Sequence, residues 1–197
     1  MRCRDGGVPC DQNRRARHVA FTALLRHLLS PSRDQMVKKA ARDEGRAANE
    51  RLSTGLKTAR LAAGLSLVAL ANLTGMSRNT LWRIENRSSN ARLSTIDTLA
   101  ECFQVNPSQL LAERPAYGRL KRRLPLPELV ARNIAQHRAD AGLSQESLGS
   151  AAGLAKNYAS LIEVSAPDLT IETVGSIARV LGVDASLLLA DPREGAS

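Results

Sequence analysis

The side chains of this sequence that could do chemistry are hydrogen-bond donors rather than nucleophiles. Arg78, Asn79 and Arg83 lie in one short predicted helix, whose apolar residues Leu81 and Ile84 occupy a different face. A guanidinium can bond to O6 and N7 of guanine, and a carboxamide can bond to N6 and N7 of adenine. This segment can therefore present donors to the edges of bases.

Catalysis and metal binding are not indicated. The three His are isolated, and Cys3, Cys10 and Cys102 have neither zinc-ligand spacing nor the number needed for a disulfide framework. The sequence shows no nucleophile–base pair and no phosphate-binding glycine loop. We therefore expect no enzyme, no metal and no cofactor, and a reducing, cytoplasmic location.

The positive charge is unevenly distributed along the 197 residues. The formal net charge of +9 favours a polyanionic partner such as nucleic acid. Residues 1–53 carry +6, residues 54–113 carry +2, residues 114–127 carry +5 and residues 128–197 carry −4. No apolar run approaches the ~20 residues that span a bilayer, so no membrane partner is expected.

An internal repeat organises the chain. At an offset of 78 residues, positions 56–111 align without a gap with positions 134–189, and 16 of the 56 aligned pairs are identical. We therefore predict two copies of one module, the first at 54–113 and the second at 128–191. Periodicity and capping residues predict five short helices in each. They are 56–63, 67–74, 78–86, 94–103 and 107–112 in the first module, and 129–141, 144–151, 155–163, 171–181 and 184–190 in the second.

Both modules resemble the phage repressor and Cro family, also called XRE-type helix-turn-helix. The resemblance rests on an Arg before Gly-Leu-Ser, a Gly between the second and third helices, a polar third helix ending in Ile-Glu, and a terminal Leu-Leu. It implies an all-α fold of two tandem five-helix, lambda-repressor-like domains. A basic linker at 114–127 would join them, with a tail at 192–197. Residues 1–53 are expected to be a basic extension, either disordered or carrying a short helix over 14–30, and a start at Met36 is an alternative.

The resemblance also implies roles for individual residues. Structural ion pairs are implied between Arg60 and Glu85 and between Arg138 and Glu163, each locking the third helix against the first. The implied base-reading residues are Arg78, Asn79, Arg83, Lys156 and Asn157. The implied phosphate contacts are Ser77, Thr80, Asn86, Arg87, Arg92 and Gln145.

The two modules differ at positions where the family contacts DNA. The usual Gln at the start of the second helix is Gln145 in the second module, but Leu67 replaces it in the first. The second module also lacks a basic loop after its third helix, which weakens its attraction to phosphates. We expect the first module to read DNA, while for the second both DNA binding and a dimerisation or partner-binding role remain open. Trp82 is expected to pack against the fourth helix or to contact the sugar-phosphate surface.

The linker is long enough to let one chain act as its own dimer. Fourteen residues reach ~45 Å when extended, and half-sites in adjacent major grooves lie ~34 Å apart. Arg122 and Arg123 would then follow the intervening phosphates or minor groove. The alternatives are a flexible, solvated linker and a homodimer of two chains.

Together these features predict a sequence-specific regulator of transcription that binds double-stranded DNA and acts as a repressor. The alternative is a protein-interaction module, such as an antitoxin or a mobile-element accessory factor, in which the second module or the extension binds a protein.

Overall fold

Nine α-helices and one 3₁₀ helix make up the described part of the chain, residues 32–112 and 124–192 of the computed structural model. The helices of the first half are α1 (Arg33–Ala62), α2 (Leu67–Thr74), α3 (Arg78–Glu85), α4 (Leu93–Phe103) and the 3₁₀ helix (Pro107–Leu111). Those of the second half are α5 (Leu126–Asp140), α6 (Gln145–Ala151), α7 (Tyr158–Ser165), α8 (Ile171–Leu181) and α9 (Ala185–Leu189). The predicted all-α fold is confirmed. The predicted helix over 14–30, Arg122, Arg123 and residues 193–197 lie outside the described residues.

The first helix is longer than predicted, because it begins at Arg33 rather than Leu56. Ser32 and Gln35 form a capping box at its start, each donating its backbone N–H to the other's side-chain oxygen at 3.2 Å. The boundary predicted between residues 53 and 54 therefore falls inside a continuous helix. Sequence periodicity missed the added turns because, before Leu52, their buried face consists of small or polar residues, Ala41, Gly45, Ala48 and Asn49.

The added turns of α1 pack against α8 of the second module. A Cβ atom on Gly45 would collide with the backbone oxygen of Glu172, and one on Gly175 would lie 2.8 Å from Ala48 Cβ and 2.9 Å from Gly45 Cα. The two helices therefore meet almost backbone to backbone. This contact joins the segment before the first module directly to the second module.

The two modules also face each other across a pseudo-two-fold axis. Arg92 and Thr170, which are equivalent at the 78-residue offset, form an isolated antiparallel bridge. Leu93 donates its N–H to the oxygen of Leu169 at 2.8 Å, and the equivalent Ile171 donates to Ala91 at 2.9 Å. Such exchange of equivalent contacts is what an isologous dimer shows between two subunits.

Side chains at the same axis cap the fourth helix of the opposite module. Asp168 Oδ1 accepts the backbone N–H of Ser94, at the start of α4, at 2.9 Å. Asn90, equivalent to Asp168, accepts the backbone N–H of Glu172 in α8 at 3.3 Å. The 3₁₀ helix also contacts α9, its counterpart in the repeat, and a single hydrophobic core runs through both modules. The two modules are therefore packed together rather than separated by the linker.

Candidate nucleic-acid interface

The α2–α3 pair of the first module is built by two serine caps and one glycine turn. Ser66 Oγ accepts the N–H of Ala69 at 3.1 Å at the start of α2, and Ser77 Oγ accepts the N–H of Thr80 at 3.0 Å at the start of α3. Between the helices Gly75 adopts a left-handed conformation with φ 71°, which a side chain would strain. The result is a short helix, a tight turn and a second short helix, the arrangement of a helix-turn-helix.

The outer face of α3 carries polar side chains while its inner face is buried. Leu81 and Ile84 lie in the core, and Arg78, Asn79 and Arg83 are exposed. Within the described residues the side chains of Arg78 and Asn79 have no hydrogen-bond partner, and the side chain of Arg83 makes one long bond, 3.4 Å, to the oxygen of Ser88. The three side chains named as base readers in this module are therefore brought together on one accessible face, with their donors available.

A buried ion pair fixes α3 against α1. Arg60 Nε and NH2 donate to the two carboxylate oxygens of Glu85 at 2.7 and 2.8 Å, and NH1 donates to the oxygen of Leu65 at 2.8 Å. Hydrogen bonding to Glu85 raises the pKa of Arg60 despite its burial. Because Glu85 is the last residue of α3, the pair ties the end of that helix to the domain.

The side chains named as phosphate contacts in the first module lie on the surface, but several are already engaged within the chain. Arg87 pairs with Glu50 at 2.9 Å, and Arg92 donates to the oxygen of Asp168 at 3.1 Å. Asn86 donates to the oxygen of Trp82 at 2.8 Å. Ser77 and Thr80 join their hydroxyl groups at 2.8 Å beside the N-terminus of α3.

Trp82 is 48% exposed, so much of its ring is not covered by packing. It lies on α3, the helix that carries Arg78 and Asn79. About half of the indole is therefore available to a partner surface.

The third helix of the second module is shorter than predicted. It begins at Tyr158 instead of residue 155, and Asn157 adopts a left-handed conformation with φ 62°. Ala155 occupies the position of Ser77, and an alanine cannot accept the capping hydrogen bond that starts α3. Lys156 and Asn157, named as base readers, therefore lie in the turn before α7 rather than on it.

The exposed face of α7 is less polar than that of α3. Leu161 stands in place of Arg83 and is 47% exposed, and Val164 stands in place of Asn86 and is 81% exposed. With Tyr158 and Gln145 they line an open groove of about 630 Å³. The two modules thus present chemically different surfaces at equivalent positions.

Gln145, named as a phosphate contact, is bound to the ion pair of the second module. Arg138 Nε and NH2 donate to Glu163 at 2.6 and 3.0 Å, and Gln145 Nε2 donates to Glu163 Oε2 at 2.8 Å. The hydrogen bonds from Arg138, aided by Gln145, lower the pKa of Glu163 although burial opposes them. Leu67 occupies the equivalent position in the first module, and its apolar side chain cannot donate a hydrogen bond to Glu85.

Sequence reasoning missed the residues that join the modules. Asp168 and Asn90 lie in loops, and neither loop by itself reveals that its side chain caps a helix of the other module. The one available signal was their equivalence at the 78-residue offset, combined with the lack of a capping side chain at Arg92, immediately before α4.

Neither a metal site nor a single membrane-spanning helix is found in residues 32–112 and 124–192. They hold no group of three or more His, Cys, Asp or Glu side chains placed to bind a metal. Among the same residues, no helix is by itself long and apolar enough to cross a bilayer; α1 and α2 pass that test only as a pair bent by 98°.

Two family models match the chain over its two modules. A model described as "Helix-turn-helix domain" matches residues 51–113, and a model described as "Helix-turn-helix" matches residues 134–188. No curated protein and no solved structure is significantly similar to the chain. The first match contains α2 and α3, and the second contains α6 and α7.

Proposed function

Since the chain belongs to the XRE (Cro/C1) type of helix-turn-helix proteins, with tandem domains at residues 51–113 and 134–188, we propose that it regulates transcription by binding specific sequences in double-stranded DNA. We propose further that it acts as a repressor, because repression needs only that the protein occupy its site. In this role the chain binds DNA and catalyses no reaction.

The observation that carries the proposal is the outer face of α3. Arg78, Asn79 and Arg83 project from a short exposed helix whose orientation is held by the buried Arg60–Glu85 pair. Arginine is suited to guanine and asparagine to adenine in the major groove, each bidentate contact giving about 1–3 kcal/mol of discrimination. A rigid helix with unengaged donors favours base reading over a merely solvated surface.

The pseudo-two-fold axis supports a single chain that engages two half-sites. The loops that follow α3 and α7 meet at the axis, through Arg92 and Thr170, as the subunits of a dimeric repressor meet between two recognition helices. Because α3 and α7 carry different residues, the two half-sites would differ in sequence. We therefore propose an asymmetric operator bound by one copy of the chain.

The test is selection of duplexes from a random library by the full chain, followed by footprinting on the DNA upstream of its gene. We expect an enriched sequence, a footprint covering two half-sites, and a stoichiometry of one chain per duplex. Arg78→Ala and Asn79→Ala should each abolish enrichment of particular bases in one half-site, while Lys57→Ala, an exposed change on α1, should not. Failure to prefer any duplex over random DNA at physiological salt would overturn the proposal.

A second candidate function is favoured by the apolar face of α7. Exposed Leu161 and Val164 replace polar residues of α3, and exposed apolar surface at a groove is typical of a protein-binding site. In this case the second module would bind a protein partner, as in an antitoxin or a mobile-element accessory factor. Leu161→Arg with Val164→Asn would then abolish partner binding without changing the half-site read by α3.

A further inference from the structure

Two arginines of α1, Arg42 and Arg46, lie beside the helix-turn-helix of the second module. Together with Gly153 and Leu154 in the turn between α6 and α7, and Thr173 of α8, they line a cavity of about 280 Å³. Their spacing of four residues places both guanidinium groups on one side of the helix. The cavity is thus flanked by two positive charges from residues that precede the first module and lie far from the second in sequence.

Both guanidinium groups are available to a ligand. Arg42 and Arg46 are exposed, and within the described residues neither makes a hydrogen bond or an ion pair. Arg51, on the same helix, is by contrast held by Glu44 at 2.8 Å and by Asp184 at 2.7 Å. Glu172 also lines the cavity, but its carboxylate accepts from Asn49 at 3.3 Å and forms no ion pair with Arg42 or Arg46. With two arginines and one glutamate, the cavity keeps a positive balance.

The position of the two arginines is set by the close contact between α1 and α8. Gly45 lies between them in sequence and packs against the backbone of Glu172 and against Gly175. Arg42 and Arg46 consequently lie at the margin of this contact, next to the turn that leads into α7. The placement depends on a backbone approach that only small residues permit.

The second module has a negative net charge, and few of its cations follow its third helix. Residues 128–197 carry a net charge of −4, and the loop after α7 contains no arginine or lysine. A DNA-binding surface needs cations near the phosphates, because these supply most of its nonspecific affinity. Arg42 and Arg46 bring such cations to the edge of this module.

We propose that Arg42 and Arg46 each bind a backbone phosphate of DNA beside the second module, so that α1 supplies phosphate contacts that the loop after α7 does not. The proposal rests on the function proposed above and extends it to residues outside both modules. Arginine is suited to this role because its planar donors match the oxygens of a phosphate. The two side chains position the module on the duplex without selecting bases.

The test measures binding of the full chain to a random-sequence duplex of 30 base pairs between 50 and 200 mM NaCl. The variant Arg42→Ala/Arg46→Ala is compared with a charge-matched control, Lys57→Ala/Arg179→Ala, whose side chains are also exposed. Each lost phosphate contact should reduce the slope of log K against log salt by about 0.9. For two lost contacts, the affinity lost across this salt range should be about tenfold smaller than in the wild type.

The outcomes separate this inference from the proposed function. An unchanged salt slope in the variant, an equal reduction in the control pair, or no binding of the wild type to the random duplex at 50 mM NaCl would each overturn the inference. Sequence preference is measured separately on the selected duplexes and should be the same in the variant and the wild type. If the wild type showed no sequence preference at all, the proposed function would be overturned. The salt slopes would still decide whether Arg42 and Arg46 bind phosphate.

Discussion

Asp168 in the second module caps α4 of the first, because its two carboxylate oxygens accept the N–H and the hydroxyl of Ser94 at 2.9 and 2.7 Å. The two residues are 74 positions apart. Arg92, immediately before α4, makes no capping bond through its own side chain, so the helix depends on the other module for this contact. Formation of the α4 terminus and docking of the two modules are therefore coupled.

The first prediction concerns this cap. Asp168→Ala should lower the free energy of unfolding by about 1–2 kcal/mol, because the N–H of Ser94, in the first turn of α4, loses its acceptor. Urea unfolding measures the loss. Asp140→Ala removes an exposed carboxylate that accepts from the exposed Gln136 and should change stability by less than about 0.5 kcal/mol. Equal effects of the two substitutions would contradict a capping role.

The second prediction concerns the Arg60–Glu85 pair. Arg60→Ala leaves the carboxylate of Glu85 buried without its partner and should cost about 3–5 kcal/mol. A double-mutant cycle with Glu85→Ala should show that the second change costs much less once the first has been made. Simple additivity in chemical denaturation would mean that the pair does not hold α3 to α1.

The third prediction concerns the start of α7. Ala155→Ser should restore a capping hydroxyl, extend α7 towards residue 155 and raise stability by about 0.5–1 kcal/mol. The converse change in the first module, Ser77→Ala, should lower stability by a similar amount. Helical content from circular dichroism and unfolding free energy should move together in each variant. NMR chemical shifts of Ala155→Ser report where α7 begins. If the helix still began at Tyr158, an interaction other than the missing cap would set its start.

The fourth prediction concerns the loss of stability at low pH. The pKa of Glu163 is lowered in the folded chain by Arg138 and Gln145, so its contribution to stability is present above the ordinary value of 4.5. That contribution is lost as the pH falls through the lower, folded pKa. Glu163→Gln should therefore lose less stability than the wild type between pH 6 and pH 3 in urea titrations. Glu146→Gln, an exposed change in the same module, should lose as much stability over this pH range as the wild type does.

The fifth prediction concerns the contact between α1 and α8. Gly45→Ala places a methyl group against the backbone of Glu172 and should cost about 1–3 kcal/mol through overpacking. Gly149→Ala is the matched control, because its methyl group would meet Ala159 Cβ at an ordinary 3.6 Å. The control should be neutral or stabilising by up to ~1 kcal/mol, since alanine favours a helix more than glycine does. If Gly45→Ala behaves like the control, α1 does not pack closely on α8.

The local elements of each module were predictable because their determinants lie within a few residues. Serines at positions 66 and 77 accept from the N–H three residues later, and Gly75 takes up the left-handed turn between α2 and α3. The prediction of tandem helix-turn-helix domains is confirmed. The start of α7 was missed because the repeat suggested that Ala155 would behave as Ser77 does, although alanine has no side-chain acceptor for a capping bond.

The sequence alone determined that the chain is helical, that it carries two helix-turn-helix modules, and that α3 is the more polar of the two third helices. These properties can be read from the sequence because hydrophobic periodicity, capping residues and the internal repeat each involve residues within one short segment or its copy. Only the tertiary structure decided that Arg92 meets Thr170, that Gly45 meets Gly175, and that α1 reaches the second module. Those contacts join surfaces far apart in the chain, and their free energy depends on how closely two backbones fit, which no short stretch of sequence specifies.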